Sequence, residues 1–164
     1  MRAHLAYLRY VLTHKWYVFW ACIDLNVPIW IAFVHDWTKF TPREWIPYVK
    51  QFYNPDGSKR SVRDKSGAYD PNLQPAEFKA AWCSHQRARH HWQGWISLGD
   101  GGTLNPLPIP TVFCREMVAD WIGAGRAQGK CDPVGWYMQN EKNLVLYPDS
   151  RSYIEFTLQL WTIQ

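Results

Sequence analysis

Cysteine is sparse in this chain, strand-like runs are almost missing, and no long hydrophobic stretch is uninterrupted. The longest apolar run, "WYVFWACIDLNVPIWIAFV", carries Asp24, Asn26 and Pro28 in its middle. Those residues are costly in hydrocarbon, so the run reads as two helices separated by a break and not as a membrane span. No small-residue cleavage site follows a hydrophobic segment, which argues against a signal peptide. The four cysteines, Cys22, Cys83, Cys114 and Cys131, show neither CxxC spacing nor the density of a disulfide framework. Three of them fall in apolar helical contexts, where a free thiol packs as a small hydrophobe. A reducing compartment, the cytoplasm, is the expectation. The net charge of +4 is modest and its cations are scattered, which gives little support to a nucleic-acid partner.

What the chain has in quantity is aromatic side chains, with 11 Trp and 9 Tyr among 164 residues. Their indole and phenol groups need partners when buried, and their helical spacing assigns most of them to a core. Stacking on single-stranded nucleic acid ranks behind that reading. The length fits one helical domain, residues 1–164, able to bury a real core.

Periodicity places helices over residues 3–24, over "PIWIAFVHDW", and from Pro42 to about Tyr53. "TPRE" reads as a capping box with Thr41 at N-cap and Glu44 at N3, and Phe40 and Trp45 as the accompanying hydrophobic staple. A polar loop spans 54–74. A fourth helix is predicted from Pro75 through the "HQRARHHWQGWI" segment, a fifth over "TVFCREMVADWIG", and two more near "PVGWYMQNEK" and "DSRSYIEFTLQLW". "NLVLY" is the one tempting strand. The expected fold is all-α, a single compact bundle of about five to seven helices.

Histidines and carboxylates recur along these helices. His14 lies in the first, His35–Asp36 in the last turn of the second, and His85, His90 and His91 in the fourth. Glu116 and Asp120 are four apart on the fifth, so they share a face. At about 100° per residue the three histidines of one helix cannot all meet one ion. A carboxylate at the negative end of a helix calls for a nearby cation, which Lys39 or a metal can supply. Imidazole and carboxylate are ordinary ligands for Zn²⁺, Mn²⁺ or Fe, and bundles assemble such sites from several helices.

The order His14, His35–Asp36, Asp120 is similar to that of the helical HD-domain phosphohydrolases, in which a His, an adjacent His–Asp pair and a later Asp bind metal. That resemblance implies His14, His35, Asp36 and Asp120 as ligands and an HD-like fold, with further histidines serving in two-metal members. Over most of the chain, "HKWYV", "HDWTKFTPREW", "WCSHQRARHHWQGW", "EMVADW" and "LYPDSRSYIE" resemble an uncharacterised family of small phage and bacterial proteins. This likeness implies an intracellular protein, in the host cytoplasm if phage-encoded, and brings no activity with it.

The expectation is a metal-dependent phosphohydrolase acting on a nucleotide or other phosphate ester. Its divalent metal (Zn, Mn or Fe) is drawn from His14, His35, Asp36, His90, His91 and Asp120. Glu116 is the candidate base, and Lys39 and Arg89 offset phosphate charge. The alternative is a non-enzymatic phage accessory protein whose His/carboxylate cluster is structural.

Overall fold

The computed structural model describes residues 1–62 and 74–163. Its elements are α1 (Arg2–Asp24), α2 (Ile29–Val34), α3 (Pro42–Phe52), α4 (Ala76–His85), β1 (Ile96–Leu98), β2 (Leu104–Pro106), α5 (Thr111–Ala127), α6 (Pro133–Asn140) and α7 (Pro148–Ile163). The fold is therefore mostly helical, as expected. No helix is long and apolar enough to cross a membrane among the described residues.

The chain divides into two compact units. The first comprises Met1–Thr13 and Asp36–His85; the second comprises His14–His35 and Gln86–Gln164. Each has its own core. In the first, Tyr7 and Val11 from α1 pack with Tyr48 and Val49 from α3 and with Phe78 and Ala81 from α4. In the second, Val18 and Cys22 of α1 join Ile31 and Ala32 of α2, Met117, Val118 and Ile122 of α5, and Ile154 and Leu158 of α7.

Within the first unit, α3 begins where the sequence places it, with Thr41 in extended backbone and Pro42 opening the helix. The staple forms, with the Phe40 and Trp45 rings stacked at 6.1 Å between centroids. The capping box does not. Thr41 Oγ1 donates to the Thr38 carbonyl at 2.7 Å, and Glu44 is buried against His85. Of the polar loop expected at 54–74, residues 63–73 lie outside the described residues. Its start is a tight turn in which the Asp56 carboxylate accepts from Ser58 N–H and Oγ.

Helix α4 stops at His85, well short of the expected Ile96. The turn that follows is closed by His91 N–H to the Ala88 carbonyl at 2.9 Å and by the Trp95 indole N–H to the Arg89 carbonyl at 2.8 Å. Gly94 makes this possible: a Cβ there would stand 3.0 Å from the carbonyl oxygens of both Arg87 and Ala88. Helical periodicity thus extends past the real end because nothing before Gly94 breaks it. The strands are also not where the sequence suggests. Ile96–Leu98 pairs antiparallel with Leu104–Pro106, while residues 144–147 of "NLVLY" form no strand.

Helix α5 runs past Gly123, the last residue of the expected segment, and through Gly125 to Ala127. Gly123 serves packing instead. A Cβ on it would lie 2.3 Å from Val18 Cγ2 and 2.7 Å from the Val18 backbone nitrogen, so the bare α-carbon lets α1 and α5 approach backbone to backbone. The left-handed residue after the helix is Gly129, at φ +73°.

Candidate metal centre

That close approach locates the first pair of polar side chains. One turn before Val18 on α1 is His14, and one turn before Gly123 on α5 is Asp120. His14 Nε2 lies 3.1 Å from Asp120 Oδ1. A second imidazole comes from the end of α2. His35 follows the last helical residue, its N–H bonded to the Ile31 carbonyl, and the Lys15 ammonium donates to the carbonyls of Phe33 and His35. A lysine at the carbonyl end of a helix satisfies groups that have no further turn to bond, and here it also fixes the backbone that carries the imidazole.

The His35 ring sits between the two carboxylates of α5. Nδ1 is 3.0 Å from Glu116 Oε1, and Nε2 is 3.4 Å from Asp120 Oδ1. His90, delivered by the turn after α4, places Nδ1 3.5 Å from the same Glu116 oxygen, its ring centroid 4.2 Å from that of His35. All five residues belong to the second unit. His14, His35, His90 and Glu116 are buried, and Asp120 is the most open of the set, its side chain 13% exposed. His91 is half-buried with its ring beside His90, 4.4 Å between centroids.

The electrostatics follow from this packing. Burial alone would push the Asp120 carboxyl up, but hydrogen bonds from His14 and His35, and then their charge, hold it well below the usual carboxylate range. The same negative centre reaches Cys22, whose thiol is pushed up to about 12 by burial, reinforced by Glu116 and Asp120. Cys22 is thus an inert packing group.

Asp36, the residue after His35, lies in the first unit. It is not in the last turn of a helix, as the sequence suggests. Its backbone is left-handed (φ 56°, ψ 21°), and it opens the 3-10 helix Trp37–Phe40. Asp is among the few residues that adopt this conformation readily. Its carboxylate pairs with Lys39 at 2.5 Å and faces His85 Nε2 at 3.7 Å. His85 Nδ1 is 3.2 Å from Glu44 Oε2. Beside this cluster the Tyr7 hydroxyl is buried and has no hydrogen-bond partner among the described residues. Its phenol is held above the usual range by burial and then by Asp36 and Glu44.

Glu44 is the residue that sequence reasoning missed, because its position fitted a helix cap so well. The only signal against that reading is its tertiary partner, which no local pattern reveals. Replacing it tests the assignment: Glu44→Gln is expected to cost about 1–3 kcal/mol, since the buried His85 N–H loses a charged acceptor. A capping residue on an exposed helix start would cost much less. Urea denaturation of the two proteins checks this.

Lys39 lies in the first unit and Arg89 in the second. Lys39 is committed to Asp36, and Arg89 is exposed, its guanidinium lying over the Phe113 ring at 5.4 Å. The pairings of Glu116 and Asp120 are with histidines.

The donor set fits a metal. Ligand atoms from His35, His90 and Glu116 all lie within 4.8 Å of one another. Tetrahedral coordination with bonds of about 2.0–2.1 Å sets ligand atoms roughly 3.3–3.5 Å apart, close to the separations found here. Comparison with known proteins adds a family and nothing more. No curated protein and no solved structure matches the chain. Residues 3–160 match the family of unknown function DUF5662, and the chain belongs to that family.

Proposed function

We propose that the second unit holds a divalent transition metal among His14, His35, His90, Glu116 and Asp120, and that the protein is a metal-dependent hydrolase of a phosphate ester. One observation carries the reading: a single buried imidazole, His35, meets a carboxylate oxygen at each of its ring nitrogens. A neutral imidazole has one N–H and one lone pair, so only one of these contacts is an ordinary hydrogen bond. The other needs a proton or a cation, and two buried carboxylates need positive charge in any case. A divalent ion meets both needs while leaving the imidazoles neutral.

Such an ion supplies Lewis acidity, acidifying water and polarising a phosphoryl oxygen. The protein's own groups do the rest. Glu116 orients His35 and His90 through one oxygen and leaves the other as the candidate base, within a site that excludes bulk water. Asp120, the least buried member, marks the side on which a substrate has access.

The purified protein is expected to contain metal in a fixed ratio to chain, measured by elemental analysis. Chelation is expected to abolish hydrolysis across a panel of nucleotides and simple phosphate esters. Because metal ligands must give up their protons to bind, metal affinity is expected to fall as pH is lowered. Metal titrations between neutral and mildly acid pH read this out. Folded protein that neither contains nor takes up metal overturns the proposal.

A second reading rests on the mutual contacts of these groups. Glu116 and Asp120 each already touch an imidazole, so the cluster also makes sense as a polar lock in a non-enzymatic phage accessory protein. In that case chelation lowers the melting temperature at most, and no substrate in the panel turns over.

A further inference from the structure

The second unit presents a large apolar surface that its own core does not use. On α1, Trp16 (60% exposed) and Trp20 (45%) contact each other edge to face, 5.7 Å between ring centroids. On α2, Ile29, Trp30, Phe33 and Val34 are exposed by 62%, 59%, 75% and 46%, while only Ile31 and Ala32 turn inward. The two groups are adjacent, because Lys15, next to Trp16, donates to the Phe33 carbonyl at 3.2 Å. A six-residue helix that buries two side chains and bares four is built the wrong way round for a lone molecule.

Area and charge identify what covers it. With roughly 150–250 Å² per aromatic side chain, the bared parts of these six residues offer on the order of 800 Å². That is the share one partner contributes to a standard interface, and it exceeds what single soluble chains usually leave contiguous and apolar. From Trp16 to Val34 the only charged residue is Asp24. Nucleic acid and anionic lipid both demand Lys or Arg, and this segment has none. A nearly uncharged face can meet its own copy across a two-fold axis without like-charge repulsion, as an isologous interface requires.

We infer that this face is a homodimer interface, with α2 and the Trp16–Trp20 face of α1 packing against the same surface of a second chain. Because His35 directly follows α2, the partner would pack over the element that delivers the central imidazole. The assignment is independent of whether metal is bound.

Sedimentation equilibrium at roughly 50 µM, well above the Kd such an area commonly supports, tests it. The wild-type chain is expected at twice its 19.3 kDa mass. Trp30→Asp and Phe33→Asp are each expected at the single-chain mass, with unchanged far-UV circular dichroism because both side chains lie outside the core. A monomeric wild type overturns the inference, including one that instead binds neutral phosphatidylcholine vesicles. So does a dimer that survives both substitutions.

Discussion

Gly123→Ala is expected to destabilise the protein by about 3 kcal/mol, the upper end for a single overpacked methyl. For a chain of this length that lowers the melting temperature by roughly 6–12 °C. Two effects compete at this position. Helix propensity favours alanine by about 1 kcal/mol, so an exposed glycine in α5 would gain from the change. Here the new Cβ would meet Val18 Cγ2 at 2.3 Å and the Val18 backbone nitrogen at 2.7 Å, and the collision is larger than the propensity gain. Because part of the clash is with backbone, adding Val18→Ala relieves it only in part. The substitution also pushes apart the helices that bring His14 to Asp120, so metal uptake is expected to weaken together with stability. A melting temperature equal to or above wild type would show that the two helices are not in backbone contact.

His35→Ala is the second large effect, and it acts on charge before volume. Removing this imidazole takes away Glu116's nearest partner and one of the two that hold Asp120 ionised. Breaking a buried pair from one side typically costs 3–5 kcal/mol, because the remaining charge is stranded. In chelator-treated protein at neutral pH a loss of about that size is expected, and stoichiometric metal binding should disappear in untreated protein. The pH dependence has a definite sign. The folded Asp120 carboxyl lies below its unfolded value near 3.9, so its contribution is complete above that pH and fades as pH falls through the folded value. The variant loses part of this contribution, and its stranded carboxylates are relieved by protons. The stability gap between wild type and variant is therefore expected to be widest at pH 7 and to narrow on acidification below about pH 4. Denaturant unfolding at several pH values measures the gap; a gap independent of pH would reduce the role of His35 to packing.

Much of this was legible in the residues, and the misreadings share a cause. Local signals are reliable where local physics decides. Pro42 opens a helix, the Phe40–Trp45 staple forms, and the i,i+4 spacing of Glu116 and Asp120 puts both carboxylates against His35. Where long-range contacts decide, the pattern misleads. The fourth helix looked continuous to Ile96, yet His85 is held by Glu44 in one unit and His90 by Glu116 in the other. Helical geometry does not keep the three histidines apart, because of them only His85 is on that helix. Gly123 looked like a stop signal because sequence cannot distinguish a glycine needed for φ from one needed for clearance. Asp36 looked misplaced against a helix dipole only because its left-handed backbone, just beyond α2, leaves no trace in the letters.

The ammonium of Lys15 has a consequence for how this architecture tolerates change. By gripping the carbonyl of His35, it ties the register of one metal-binding candidate to the residue directly after another, His14. The turn through Asn26 and Pro28 is fixed as well, by the Val27 N–H on the Cys22 carbonyl and by the burial of Leu25 and Val27. The alignment of the two imidazoles is thus braced twice, by a core-packed bend and by a side-chain clasp, so loss of the lysine ammonium alone would loosen the chemistry before it unfolds the chain.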